Sequence, residues 1–171
     1  IKKLKKNIIP IYEPGLTDLV KKNTQAKYLS FSNKIEDIYS AEIIFIAVGT
    51  PSSRRGDGEA DLKYVFSVIK DVAKCLKKDE EKFIITKSTV PVGTGKKIEN
   101  IIKDIRPDLS FNKEYFVVSN PEFLREGSAI EDFMRPDRVV CGVSSKRAQE
   151  ILKELYRPLN LREAPIVFTD L

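Results

Sequence analysis

The run Ser119-Asn120-Pro121-Glu122-Phe123-Leu124-Arg125-Glu126-Gly127-Ser128-Ala129-Ile130 sets two carboxylates four residues apart, directly after an apolar stretch, Tyr115 to Ser119, that reads as a strand. Carboxylates can take and return protons. Asn120 is a suitable helix N-cap and Pro121 a suitable first helical residue. The spacing therefore predicts a helical turn from Pro121, with Glu122 and Glu126 on one face. Like charges so placed repel unless a cation or a substrate sits between them. Two readings fit this pattern. One is a carboxylate pair at the carboxyl end of a parallel strand, where open α/β sheets bind ligands. The other is a charged first turn that suits the helix dipole and does nothing more.

Two further stretches place small hydroxyl and glycine residues where an apolar run ends. Val48-Gly49-Thr50-Pro51 closes the run from Glu42, and Lys87-Ser88-Thr89-Val90-Pro91-Val92-Gly93 follows Lys82 to Thr86. Each alone is ordinary turn chemistry. Three in succession, each after a buried strand, point to a shared cleft, because helix-linked parallel strands gather their functional loops at the strands' carboxyl ends. The expected geometry puts Thr89, Glu122 and Glu126 around one nucleotide-sized hollow.

The elements that must position these loops alternate in type. Ile1 to Lys6 reads as the tail of a helix, Leu16 to Lys22 as a short helix, Lys27 to Ser32 as a strand and Lys34 to Tyr39 as another short helix. Glu42 to Val48 is a continuous apolar run, the mark of a strand buried on both faces. Asp61 can cap a helix in which Leu62, Val65, Phe66, Ile69, Val72, Ala73 and Leu76 recur at helical spacing. Ile98, Ile101, Ile102 and Ile105 mark the next helix. Arg138 to Val143 is a strand, Ser144 to Tyr156 a helix and Ile166 to Thr169 a last strand. Strands alternating with helices predict an α/β domain over residues 1–171, Rossmann-like and doubly wound, with a mainly parallel sheet.

Composition removes several function classes. Hydrophobic residues make up 42% and charged residues 32% of the 171, so the chain is globular. No apolar run approaches the length that spans a bilayer, and no stretch reads as a signal peptide. Histidine is absent, which removes Ser-His and Cys-His nucleophile pairs. The two cysteines, Cys75 and Cys141, leave no ordinary zinc site and read as buried free thiols of a reducing cytoplasm. The net charge of +5, with Lys2, Lys3, Lys5 and Lys6 at the front, suits a solvated helix face or an anionic ligand such as a nucleotide phosphate. A basic nucleic-acid-binding domain lacks its usual signs: no tryptophan, no aromatic-interleaved basic strip, no known module. Arg54-Arg55-Gly56-Asp57-Gly58 reads either as a mobile lid or as a solvated surface loop.

Taken in order, these strings resemble the UDP-glucose dehydrogenase family of nucleotide-sugar dehydrogenases. The matching segments are I-P-I-Y-E-P-G-L (Ile9 to Leu16), F-I-A-V-G-T-P (Phe45 to Pro51), K-S-T-V-P-V-G-T-G (Lys87 to Gly95), S-N-P-E-F-L-R-E-G-S-A-I (Ser119 to Ile130) and M-R-P-D-R-V-V-C-G (Met134 to Gly142). The resemblance covers nearly the whole chain, and P-D-R-V-V looks most like the UDP-glucose branch. It implies NAD as cofactor and UDP-glucose as substrate, oxidised at C6 to UDP-glucuronate in two hydride transfers through a cysteine thioester. GDP-mannose and UDP-N-acetylmannosamine are the alternative substrates.

The same resemblance implies roles for individual residues. Glu122 would serve acid–base chemistry in the hydrolytic step, Glu126 would lie near nicotinamide and substrate, and Thr89 would hold a water that helps move a proton. Val48, Thr50, Pro51, Ser88, Thr89, Val90 and Glu126 would border the cofactor. Glu122, Phe123, Leu124, Arg125 and Glu126 would bind the sugar, through backbone as much as side chain. The family's Gly-rich loop, nucleophilic cysteine, central dimer-forming helix and UDP-binding domain match nothing here, and neither Cys75 nor Cys141 occupies the nucleophile's motif. The expectation is therefore a cofactor-domain segment without its first βαβ unit, inactive alone, whose pairing into a homo-oligomer uses other regions. A non-catalytic dinucleotide-binding module is the competing reading. It has no need of Thr89, Glu122 and Glu126 together.

Overall fold

The computed structural model describes residues 1–52, 60–160 and 165–171. Among them are five strands: β1 (Ile43–Ile46), β2 (Lys82–Thr86), β3 (Tyr115–Ser119), β4 (Val139–Gly142) and β5 (Ile166–Thr169). The helices are α1 (Leu16–Gln25), α2 (Lys63–Cys75), α3 (Thr94–Ile105), α4 (Ala129–Met134) and α5 (Lys146–Asn160), with 3-10 turns at Leu4–Lys6 and Ile35–Ser40. Two compact units divide the chain: Ile1–Lys34 with Phe123–Asp137, and Ile35–Glu122 with Arg138–Leu171.

The second unit holds the whole sheet, in the order β1-β2-β3-β4-β5. The first three strands are parallel, and Ile46, Thr86 and Ser119 share one register position at their carboxyl ends. β4 and β5 are also parallel, whereas β3 meets β4 antiparallel through the single pair Ser119 and Gly142. A glycine suits that crossing: a Cβ on Gly142 would stand 3.1 Å from the Asp170 carbonyl and 3.3 Å from Ser119 Cβ.

Alternation along the strands sends side chains to two cores. On one face Ile44, Ile46, Ile84, Tyr115 and Val117 pack with Val65, Ile69, Val72 and Ala73 of α2 and Ile98 and Ile102 of α3. On the other, Phe83, Ile85, Phe116, Val118, Val139 and Cys141 pack beneath Ala148, Ile151, Leu152, Tyr156 and Leu159 of α5. Phe83 and Phe116 stack there with ring centroids 4.5 Å apart. Helices on both faces of a mostly parallel sheet are the doubly wound arrangement expected from the alternating pattern. Cys75 and Cys141 are buried free thiols, as expected.

Several boundaries differ from expectation, each for a local reason. Lys27 to Ser32 is not a strand. The end of α1 absorbs it: Lys27 has φ +62°, and the amides of Lys27, Tyr28 and Leu29 donate back to Thr24 and Asn23 carbonyls. No described residue offers it a ladder partner. β1 is buried on one face only, with Ile44 and Ile46 inside and Phe45 43% exposed, because β1 is the first strand of the sheet and α5 packs over the strands beyond it. α5 runs past Tyr156 and takes Pro158 into its last turn. The amide of Lys63 donates to Asp61 Oδ1 at 3.0 Å, so Asp61 does steady the start of α2.

The first unit comprises α1, α4 and their approaches. Gly15, at φ +79°, begins α1, a backbone state that glycine adopts without strain. The Glu13 carboxylate accepts from the amides of Gly127, at 2.9 Å, and Ile130, at 3.4 Å. It thereby binds the Ile9 to Leu16 segment to the start of α4 and places negative charge where a helix dipole favours it.

Candidate functional site

The loops after β1 and β2 lie side by side in the second unit and carry several of the candidate residues. Past the end of β1 the Ile46 carbonyl takes the amides of Lys87, at 2.8 Å, and Ser88, at 3.2 Å. Ser88 Oγ then donates to the Val48 carbonyl at 2.6 Å and lies 3.3 Å from that of Ile46. A small hydroxyl is what this crossing requires, because it reaches a neighbouring main-chain carbonyl without pushing the loops apart. Val48 and Val90 pack against the apolar core beneath. Thr50 is half-buried, and Pro51 and Thr89 are exposed. The Pro51 carbonyl accepts from Asp61 at 2.8 Å, and Ser52 bridges to Ala60. Arg54 and Arg55, read above as lid or surface loop, lie outside the described residues.

The same loop leads into α3. Gly93 has φ +82°, and Thr94 Oγ1 donates to the Pro91 carbonyl at 2.7 Å. This fixes the exit of the Ser88 to Val92 turn and leaves the Thr89 hydroxyl at the surface where β2 ends.

Asn120 organises the adjoining turn after β3, and it does so differently from the sequence expectation. It is not an N-cap. Residues 121–125 are non-helical, and α4 begins only at Ala129. Asn120 is instead 1% exposed, with its side chain turned inward. Its Nδ2 donates to the Val140 carbonyl at 2.8 Å, and its Oδ1 accepts from Lys87 Nζ at 3.3 Å and from the Tyr156 hydroxyl. Its own amide donates to the Thr86 carbonyl at 2.9 Å. One amide side chain so committed cannot also cap a helix. The i, i+4 argument for Glu122 and Glu126 on one helical face therefore does not apply.

This network is electrostatically distinctive. Burial pulls the Lys87 ammonium below the ordinary lysine range, opposed by its attraction to Cys141 and Glu122. Burial pushes the Cys141 thiol up to about 11, with Lys87 acting against it. Burial also pushes the Tyr156 hydroxyl up to about 12, and Cys141 adds to that. A thiolate, not a thiol, is the nucleophile, so Cys141 has neither the ionisation nor the access for covalent chemistry. Thr89 and Glu122 each follow by three residues the register position shared by Thr86 and Ser119. The structure thus sets them at the same end of two neighbouring parallel strands.

Phe123, Leu124, Arg125 and Glu126 belong to the first unit. Phe123 is 61% exposed and Leu124 38%. Arg125 is held by Asp132 through Nε at 3.1 Å, Nη2 at 2.7 Å and its main-chain amide at 2.9 Å. The Arg125 bonds hold the Asp132 carboxyl below its usual range. The Arg125 side chain is thereby engaged in shaping the loop. Sequence reasoning missed Lys87, Tyr156, Glu13 and Asp132. The signal for Glu13 and Asp132 was nil, since their partners are defined by the folded loop. Tyr156 could have been found from the inward spacing of Leu152, Tyr156 and Leu159.

Residues 1–160 match the family model described as the UDP-glucose/GDP-mannose dehydrogenase family, NAD binding domain. The chain is 51% identical over 172 residues to UDP-glucose 6-dehydrogenase of Rhizobium meliloti (strain 1021), covering 99% of this chain and 38% of that protein. It resembles the structure of a UDP-glucose dehydrogenase from Pyrobaculum islandicum at 35% identity and TM-score 0.88, covering 99% of this chain and 38% of that one. It also resembles a ternary complex of GDP-mannose dehydrogenase from Pseudomonas aeruginosa at 31% identity and TM-score 0.91, again with 99% and 38% covered. The chain thus spans well under half the length of these relatives.

Proposed function

We infer the function from one premise: the chain belongs to the UDP-glucose/GDP-mannose dehydrogenase family, matching its NAD-binding domain. From it we propose that the protein takes part in NAD-dependent oxidation of UDP-glucose at C6, and that these residues supply the cofactor-binding portion and part of the acid–base machinery. The observation that carries the reading is the 51% identity to a UDP-glucose 6-dehydrogenase over 99% of this chain.

The residues present fit the cofactor. Two adjacent loops at the carboxyl ends of parallel strands, locked together by Ser88, form the kind of edge on which doubly wound sheets bind dinucleotides. Val48, Thr50, Pro51, Ser88, Thr89 and Val90 would hold NAD, with Glu126 the further residue assigned to it. When bound, NAD+ supplies the acceptor for the hydride that leaves C6. The protein supplies the proton path. The Thr89 hydroxyl, exposed at the end of β2, can hold a water by donating or accepting. Glu122, beside the same strand ends, can take a proton from that water or return one during hydrolysis. Glu122, Phe123, Leu124, Arg125 and Glu126 would recognise the sugar, with Arg125 acting through its main chain. The thioester step needs a cysteine other than Cys75 and Cys141.

The test is turnover by the full-length protein carrying these residues, read as NADH absorbance with UDP-glucose, GDP-mannose or UDP-N-acetylmannosamine. UDP-glucose should be preferred, and Glu122→Gln should lower kcat by about 10²–10⁴-fold. A protein that binds NAD+ but oxidises none of the three, or a Glu122→Gln variant with full activity, overturns the proposal in favour of a binding module.

A further inference from the structure

Lys87 is the residue that the functional reading leaves without a task, yet its place is unusual. It follows β2 directly, and its half-buried ammonium points into the α5 side of the sheet, where Asn120, Cys141 and Tyr156 converge. Lysines are rarely drawn under a sheet edge without a partner that uses the charge. Here Lys87 Nζ meets Asn120 Oδ1 at 3.3 Å, two residues before Glu122, and Asn120 is itself fixed to β2, β4 and α5 by the Thr86 carbonyl, the Val140 carbonyl and the Tyr156 hydroxyl.

Other groups near this ammonium limit what it can do. The Cys141 thiol stays protonated to about 11 and the Tyr156 hydroxyl to about 12, so neither supplies negative charge near neutral pH. Glu122 is a carboxylate close enough that its attraction is one of the forces that keep Lys87 charged against burial. Hydrogen bond and charge act on the same short turn: the first sets where the Asn120–Glu122 backbone goes, the second what electrostatic environment the carboxylate meets.

We propose that Lys87 is a positioning residue for Glu122, holding the turn after β3 through Asn120 and keeping a cation near the carboxylate that handles protons. This rests on the acid–base role assigned to Glu122. The reading requires the charge as well as the donor. Gln at position 87 can still donate to Asn120, whereas Arg retains the cation.

The experiment uses the full-length protein. Lys87→Gln should lower kcat by at least about tenfold, since small displacements of a catalytic group can cost about 10²-fold. KM for NAD+ and the unfolding midpoint should stay unchanged, and Lys87→Arg should recover much of the loss. A Lys87→Gln variant with wild-type kcat, or one whose loss is matched by unfolding and shared by Lys87→Arg, overturns the inference. A second readout does not depend on turnover. The Lys87 titration, followed by NMR of the lysine side chains, should move to lower pH in Glu122→Gln, because one of the attractions holding its proton is gone. An unmoved titration refutes the coupling. A wild-type protein inactive on all three nucleotide sugars would sink the functional reading alone, leaving the coupling to be decided by NMR.

Discussion

Replacing Asn120 by Leu tests the central claim about how the site is built. The two side chains are close in size, so the change removes polarity more than volume. Three groups lose their Asn120 partner: the Tyr156 hydroxyl, the Val140 carbonyl and the Lys87 ammonium. Tyr156 is 4% exposed and regains no water, so it bears the full cost of an orphaned buried donor, about 1–3 kcal/mol. Val140 and Lys87 are half-buried and count at the low end, about 1 kcal/mol each. The sum is about 3–5 kcal/mol, a large part of the 5–15 kcal/mol typical of a folded domain. Tyr156→Phe removes one donor and leaves Asn120 Oδ1 with Lys87, so it should cost only about 1 kcal/mol. The double variant should cost less than the two single losses together, because Phe has no hydroxyl left to strand. Urea denaturation gives all three values, provided the m-value is unchanged. If Asn120→Leu costs no more than Tyr156→Phe, or the pair is additive, Asn120 is not the hub of this network.

The remaining predictions address other parts of the site. Ser88→Ala loses the bonds to the Val48 and Ile46 carbonyls; it should raise KM for NAD+ while costing only about 1 kcal/mol of stability, and unchanged cofactor kinetics would refute the clamp. Gly142→Ala should destabilise by about 1–3 kcal/mol, because the new Cβ presses on the Asp170 carbonyl and Ser119; calorimetry decides. Stability should fall as pH rises from about 8.5. Cys141 and Tyr156 ionise more readily unfolded, near about 8.5 and 10, than folded, at about 11 and about 12. The unfolded state therefore gains charge first, and the loss can reach about 1.4 kcal/mol per pH unit for each group. A flat profile of denaturation midpoints across that range would contradict the burial of both.

What could be read from the sequence follows from which interactions are local. The sheet strands and the long helices were legible because burial writes itself as period: Ile98 and Ile102 fall on one face of α3, and Lys82 to Thr86 is apolar enough to be buried throughout. Lys27 to Ser32 failed because strand propensity says nothing about a ladder partner, whereas the α1 terminus supplied immediate hydrogen bonds. The helix expected at Pro121 failed for a related reason. Asn-Pro is a good local start signal, but the Asn120 side-chain amide found three partners just past β2, in β4 and in α5, separated from it by 20 to 36 residues. Long-range satisfaction of one buried amide outweighed a cap worth about 1 kcal/mol.

That exchange explains why the loop after β3 is non-helical where chemistry is proposed to occur. A helix starting at Pro121 would have put Glu122 in its first turn, with its carboxylate neutralised by the helix's own amides. By turning Asn120 inward the fold delays the helix to Ala129 and delegates its capping charge to Glu13, whose carboxylate takes the Gly127 and Ile130 amides. Glu122 is thereby kept out of a helix start, and its charge acts on Lys87. The physical content of the S-N-P-E-F-L-R-E-G string is then a division of labour. Asn120 anchors the turn, Arg125 clamps its far side through Asp132, and Gly127 offers its amide to Glu13. In the proposed function, the carboxylate that this anchored turn carries, Glu122, is the group given proton chemistry.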